Sequence, residues 1–339
     1  MAIDIASLGE FGLIDRITEP FTLKHPQSLK GPGDDAAVID TGMALTLIST
    51  ELLLEGIHFD LVYTPFAHLG YKTVVAGISD IYAMNGTPKQ ITVSVGLSSR
   101  FGLEQVEEIY KGIKIACDKY NIDLVGGDTS ASLTGLTLSV TAIGEVSKDK
   151  IVYRSGAREH DLVCVTGDLG SAYLGLKLLD REKRVLEGVK NPQPKFEGYE
   201  YLLQRQLKPE AQKLAVESME KNDILPTAMI DLSDGLASDL LQICKASKAG
   251  VRVYLDRIPI AKETFTLAEE LHIDPVVAAL NGGDDYELLF TVPLSRQSEV
   301  AHIPGAEIIG HIVPESKGCA LTTPDGQEIP LTAPGFGTA

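Results

Sequence analysis

Three runs rich in β-branched or alternating apolar residues, "ALTLIS" at 44–49, "ITVSVGL" at 91–97 and "LTLSVTAI" at 136–143, are separated by two stretches with helical apolar spacing. This alternation restricts the chain to an α/β architecture, because a period of two and a period of 3.6 present their apolar faces differently. The first helical stretch, "HLGYKTVVAGISDIYAMNG" at 68–86, ends at Gly86 before Pro88. The second, 103–120, sets Leu103, Val106, Ile109, Tyr110, Ile113, Cys117 and Tyr120 at helical spacing. A second series follows: "DLVCVTG" (161–167) as a strand, Ser171 to Leu179 as a helix, and "PTAMIDLS" running into a helix from about Gly235. Strands at "VRVYLD", "YELLFTV" and "AEIIGHIV" complete it. With 339 residues and 44% hydrophobic content, two domains are expected. The boundary falls near Ser147 to Ile151, where "SKDK" interrupts two apolar segments, dividing 1–148 from 149–339. The interval 183–209, with Pro192, Pro194 and Pro209 among mixed charges, reads as an exposed excursion.

The charge balance narrows the possible ligands. Thirty Lys+Arg against 47 Asp+Glu give a formal charge of −17, which repels a nucleic-acid backbone and leaves no broad basic face to bind one. A phosphate ligand would need cations beside it. The four cysteines are scattered, without a Cys-x-x-Cys pair or a His/Cys cluster, which suits a reducing cytosol better than a zinc site or a disulfide framework. No apolar run approaches a membrane span and "MAIDIASLGEFGLIDRI" lacks the basic-then-apolar order of a signal peptide, so a soluble, cytoplasmic protein with no membrane partner is expected.

Carboxylates beside glycine or serine recur at the ends of apolar runs. "IDLSDGLASDL" (230–240) holds Asp231, Asp234 and Asp239 with no lysine or arginine, and the same grammar marks "GPGDDAAVID", "GISDIYAM", "VGGDTSAS" and "NGGDDYELLF". No Walker A, His-Arg-Asp or Asp-Phe-Gly motif is present. "GPGDDA" matches G-x-G-x-x-A, but Pro32 removes a backbone donor and Asp34 and Asp35 would repel a pyrophosphate. Mg²⁺ suits these carboxylates, since it takes oxygen ligands and is held by a few carboxylates together with substrate phosphates. Any single motif is equally served by an ordinary cap: Asp231 or Ser233 capping the helix after Gly235 would contribute about 0.5–2 kcal/mol with no metal. Five motifs together favour metal, because converging carboxylates without cations would cost several kcal/mol or take up protons. His58, in "STELLLEGIHFD", fits either a hydrogen-bonded loop or a site, and Arg154, in "YRSGA", fits either a phosphate or a surface carboxylate.

Taken in order and spacing, "GPGDDAAV", "STELLLEGIHF", "SDIYAMNGTPKQ", "VGGDTS", "YRSGA", "IDLSDGLASDL" and "GGDDYELLF" resemble the thiamine-monophosphate kinase family. That family lies within the superfamily of aminoimidazole ribonucleotide synthetases and selenophosphate synthetases, and the resemblance covers about residues 9–337. It implies a two-domain α/β (α+β) fold, with an N-terminal sheet and helices that pair in a homodimer and a C-terminal α/β sandwich. It also implies transfer of the ATP γ-phosphoryl group to thiamine monophosphate, assisted by several Mg²⁺ ions and needing no general base. By the same resemblance Asp35, Ser49, Thr50, Glu51, Asp80, Asp128, Asp231 and Asp234 hold metal; Gly127, Asp128, Arg154, Ser233 and Tyr110 meet ATP; and His58, Asp284 and Phe336 face thiamine monophosphate. Two positions depart from the family pattern. Glu51 replaces the usual aspartate, moving a carboxylate by roughly 1.5 Å, and Gly77 replaces an asparagine, removing a hydrogen-bonding group expected near the metals. Two other readings stay open: a sister ATP-dependent synthetase, or a paralogue that binds nucleotide or thiamine phosphates without turnover.

Overall fold

The computed structural model describes residues 9–20, 23–188 and 194–333. In chain order the helices are α1 (Gly9–Thr18), α2 (Phe66–Ala83), α3 (Leu103–Tyr120), α4 (Ser171–Leu186), α5 (Glu200–Leu207), α6 (Lys213–Lys221), α7 (Leu236–Ser247), α8 (Lys262–Leu271) and α9 (Pro275–Asn281). The strands of the first half are β1 (Ser28–Lys30), β2 (Ala37–Asp40), β3 (Leu45–Leu54), β4 (Thr87–Leu97), β5 (Asp123–Ala131) and β6 (Leu136–Val146). Those of the second half are β7 (Leu162–Val165), β8 (Ala228–Asp231), β9 (Ala249–Tyr254), β10 (Leu288–Val292), β11 (Glu307–Pro314), β12 (Cys319–Thr322) and β13 (Glu328–Pro330). No helix among the described residues is long and apolar enough to cross a membrane.

The first six strands form one sheet in the order β1-β2-β3-β6-β4-β5, antiparallel except for the β4–β5 pair. Alternation along β3 sends Leu45, Leu47, Ser49 and Leu53 inward and leaves Thr50 and Leu52 outside. Helices cover only the inner face, and β5, at the sheet edge, is exposed along its whole length. The remaining seven strands form a second sheet, β13-β12-β9-β11-β7-β10-β8. Its central strands are buried on both faces: Val163, Val165, Ile230 and Leu289 pack under α7, while Cys164, Met229, Leu288 and Phe290 join the core of the first sheet.

Helix α2 lies between the two sheets. It touches β3, β4 and β6 on one side and β8 on the other, with α3 and α5 flanking it. Fourteen of its eighteen residues are buried, among them Val74, Val75, Ile78 and Ile81. Each such aliphatic side chain contributes roughly 1.5–3 kcal/mol by leaving water. Asn85, with φ +58, stops the helix and donates to the Lys150 carbonyl at 2.8 Å. Gly77 faces the sheet: a Cβ there would stand 2.9 Å from Val140 Cγ1, so the side chain expected near the metals has its place against β6 instead.

Within the interval 183–209, read as an exposed excursion, the described residues hold the end of α4 and the whole of α5. Helix α4 continues to Leu186, and α5 packs back on it with Leu202 fully buried against Leu174, Leu178 and Leu267. Helices α2 and α3 also approach closely enough to exclude side chains: a Cβ on Gly112 would lie 1.8 Å from the Ala67 carbonyl oxygen, and one on Gly70 would lie 1.9 Å from that of Ile109. Gly112→Ala is therefore expected to lower stability by roughly 3 kcal/mol, read from the urea midpoint at unchanged slope. A midpoint equal to the parent's would show that the helices separate at no cost.

Candidate active site

A cleft of about 1100 Å³ opens where the two domains meet over α2. Asp35 reaches it from the loop before β2, Asp80 from α2 and Asp231 from the end of β8, and one oxygen of each lies within 4.8 Å of the others. Three like charges at that spacing repel by roughly 3 kcal/mol per pair at an effective dielectric of about 20. Arg154 offsets part of this with a fork on Asp35, Nε to Oδ2 at 3.1 Å and Nη2 to Oδ1 at 3.0 Å. The Ser49 hydroxyl donates to Asp80, and Ser79 bonds Asp231. Glu51 adds its charge from β3 and Asp234 from the loop before α7.

Burial sets the acidity here. It raises Asp35 to about 7 against the opposing Arg154, and Asp231 to about 6 against Ser79 and Arg154. Asp80 also stands well above the ordinary range, from burial first and then from the charges of Asp231, Glu51 and Asp35. Asp239, quoted in its motif but given no role by sequence, is raised by burial too. One of its oxygens accepts the Asp234 N–H at 3.2 Å, while the other is buried without a partner. An all-oxygen donor set with surplus negative charge and an orphaned carboxylate oxygen fits a hard divalent cation.

At the other end of the cleft stand His58 and Asp284. His58 is held neutral, lowered by burial, and its Nδ1 accepts the Leu54 N–H at 3.0 Å, so Nε2 carries the ring proton. Burial would raise Asp284, but the charge and hydrogen bond of Lys72, with bonds from Tyr286 and Gln206, hold it below the usual carboxylate range. Lys72 Nζ lies 2.9 Å from Asp284 Oδ2, and Tyr286 OH donates to Oδ1 at 3.1 Å. Sequence reasoning missed both Lys72 and Tyr286; the signal was a lone lysine in the apolar run of α2. Ser233 lines the cleft and accepts the Asp284 N–H through its carbonyl at 2.8 Å.

Three expected residues stand apart. Tyr110, Gly127 and Asp128 line a separate cavity of about 530 Å³ beside β5. Pairing runs Asp128–Ser94–Ser139–Leu52 across four strands, so three spacings of about 4.8 Å put Asp128 roughly 14 Å from β3 within one chain. Thr50 lines the main cleft, while its hydroxyl is bonded to the Val140 carbonyl at 3.1 Å and to Thr141 at 3.0 Å on β6. Phe336 lies outside the described residues.

Two family models match: AIR synthase related protein, N-terminal domain, over residues 33–146, and AIR synthase related protein, C-terminal domain, over 158–319. The fold is that of the AIR synthase related proteins. Within that class the chain is 32% identical to the thiamine-monophosphate kinase of Bacillus subtilis over 97% of its own length and 99% of that protein's. It is 35% identical to that of Aquifex aeolicus over 86% and 88%. The solved complex of AaThiL with AMPPCP and TMP superposes with a TM-score of 0.81 at 32% identity, covering 97% of each chain. Hydrogenase maturation protein HypE in complex with ATP, at 19% identity and a TM-score of 0.69, shares the fold. The chain belongs to the thiamine-monophosphate kinase family.

The raised carboxyls fix a pH dependence. Folded pKa values above the unfolded 3.8 mean that the native state binds more protons, so their contribution is complete below that value and is lost as pH rises through about 6 to 7. Metal-free protein should therefore lose thermal stability between about pH 5 and pH 8, with millimolar Mg²⁺ restoring it at the upper end and Asp80→Asn flattening the fall. Equal melting temperatures across that window, with and without Mg²⁺, would show that the cluster is neither strained nor metal-binding.

Proposed function

We propose that the protein transfers the γ-phosphoryl group of ATP to the phosphate of thiamine monophosphate, giving thiamine diphosphate and ADP. The observation that carries this reading is the convergence of Asp35, Asp80 and Asp231 in a cleft of a thiamine-monophosphate kinase family member. Both reactants are anionic phosphates, so the reaction needs neutralised charge and alignment more than it needs a base. Mg²⁺ held by Asp35, Asp80 and Asp231, with Ser49, Glu51 and Asp234 beside them, would supply that neutralisation. The chain's own groups do the rest. Arg154 and Ser233 meet the nucleotide phosphates, Asp284 and the Nε2–H of neutral His58 orient thiamine monophosphate, and burial keeps water from the transferring group. The acceptor phosphate is already ionised near neutral pH.

Residues 1–148 would then supply nucleotide and metal contacts together with a dimer face, and 149–339 would close the cleft. The open side of the first sheet, with Leu52, Leu124 and Val125 exposed, supports pairing of two copies there. Such pairing would give the second pocket, with Tyr110, Gly127 and Asp128, a place near the nucleotide. A cytoplasmic location belongs to the same reading, in keeping with four free cysteines.

Purified protein given ATP, Mg²⁺ and thiamine monophosphate should form thiamine diphosphate, measured by thiochrome fluorescence, and lose all turnover with excess chelator. Nucleotide binding without product would move the assignment to a binding paralogue or a sister synthetase. Glu51→Asp separates tolerance from impairment: unchanged or reduced turnover makes the glutamate a working ligand, whereas a gain above tenfold marks it as a defect. In sedimentation the protein should run as a dimer at micromolar concentration, and Leu52→Lys should shift it towards monomer; a monomeric parent would sink the pairing.

A further inference from the structure

The segment from Gly283 to Glu287 is held in a conformation it would not choose alone. Gly283, Asp284 and Tyr286 have φ of +72, +59 and +52, and two of these three residues carry side chains that disfavour the left-handed region. The segment is pinned from two sides. Asp285 and Glu287 face the second domain, where Arg205 of α5 bonds Glu287 at 2.7 Å and the Asp168 carbonyl at 2.9 Å and lies 3.6 Å from Asp285. Asp284 and Tyr286 face the cleft, where Lys72 arrives from the first domain.

Lys72 stands behind the carboxylate rather than in the cleft. Its side chain is 5% exposed, against 36% for that of Asp284, and its other recorded partner is the Gln206 carbonyl at 3.2 Å. The ammonium therefore has no open path to a ligand, but its partner does. A carboxylate fixed by a buried lysine and a tyrosine hydroxyl, with its remaining lone pairs turned to the cleft, is an acceptor built for a cationic or amine-bearing group. On the reading given under Proposed function, that is the organic part of the phosphate acceptor, not the nucleotide.

We propose that Lys72 is a positioning residue for the acceptor substrate, acting through Asp284: its ammonium locks the carboxylate in the orientation that recognises the cationic ring system. Arg205 secures the opposite face of the same segment. Because Lys72 acts only through its partner, its loss and that of Asp284 must not add.

The test is steady-state kinetics with ATP, Mg²⁺ and thiamine monophosphate on the parent, Lys72→Met, Asp284→Asn and the double variant. Thiamine monophosphate binding without ATP is measured alongside by calorimetry. Lys72→Met should raise KM and Kd for thiamine monophosphate at least tenfold and leave KM for ATP within about twofold. The double variant should match Asp284→Asn alone. It removes both charges together, so it also covers the case in which Lys72→Met, with an unpaired buried carboxylate, fails to fold. A multiplicative loss in the double variant, or a fall in kcat with KM for thiamine monophosphate unmoved, overturns the assignment of Lys72. A parent that binds thiamine monophosphate but does not turn it over overturns only the kinase reading, and the calorimetric comparison still decides the role of the lysine. A parent that neither binds nor turns it over overturns both.

Discussion

Everything at the cleft depends on α2 being buried on every side while carrying Lys72, Ser79 and Asp80. A helix enclosed by two sheets has no solvent to hydrate such groups, so each must find a protein partner or a ligand. Lys72 finds Asp284, Ser79 finds Asp231 and Asp80 takes the hydroxyl of Ser49. Ser49 and Asp231 come from β3 and β8, which pack against α2, and Asp284 from the segment before β10, so the packing that buries Val74, Val75 and Ile78 also helps to set the geometry of the site. The domains are tied through the same helix, and the core that surrounds it contains residues of both sheets.

The electrostatics follow from that enclosure. Arg154 compensates Asp35 by a forked bond and Asp231 through its charge, leaving Asp80 with a neutral hydroxyl donor and the charges of Asp231, Glu51 and Asp35. A carboxylate cluster in this state either takes up protons or takes up cations, and which of the two occurs depends on pH and metal supply. The same physics explains how a chain of net charge −17 can accept two polyphosphate or phosphate ligands. On the reading proposed above, the cations need not be built into the sequence, because the carboxylates would recruit them.

Much of this was legible in the sequence. The second helical period at 103–120 coincides with α3, the strand runs at 91–97 and 136–143 fall within β4 and β6, and that at 44–49 starts one residue before β3. The pattern of carboxylates beside glycine or serine at the ends of apolar runs pointed to Asp35, Asp80 and Asp231, which do converge. What stayed hidden is what periodicity cannot encode. Helix α5 is short and carries prolines on both sides, so its burial depends on α4 and α8 rather than on its own pattern. Asp128 shares the grammar of the others, yet its strand sits at the sheet edge, and the strand order that puts it there is a tertiary property. Lys72 reads as an interruption in an apolar helix until the acid that faces it, 212 residues later, is known.

The "GGDDYE" motif shows how one local pattern can serve two purposes. From Asp284 to Glu287 successive side chains leave on opposite sides before β10 begins, with Asp284 and Tyr286 in the left-handed region at φ +59 and +52. Asp284 and Tyr286 turn to the cleft; Asp285 and Glu287 turn to a buried network with Arg205, Thr166 and the Gly170 N–H. Read as a string, the two adjacent aspartates look like a single metal-binding pair. In the fold they leave the chain on opposite sides and face cations of different origin, Lys72 from the first domain and Arg205 from the second. Exchanging Asp284 for an amide would take the ion pair from Lys72, whereas Arg205 keeps Glu287 at 2.7 Å when Asp285 is exchanged. The acidity of the motif therefore reports the junction of the two domains as much as it reports the ligand between them.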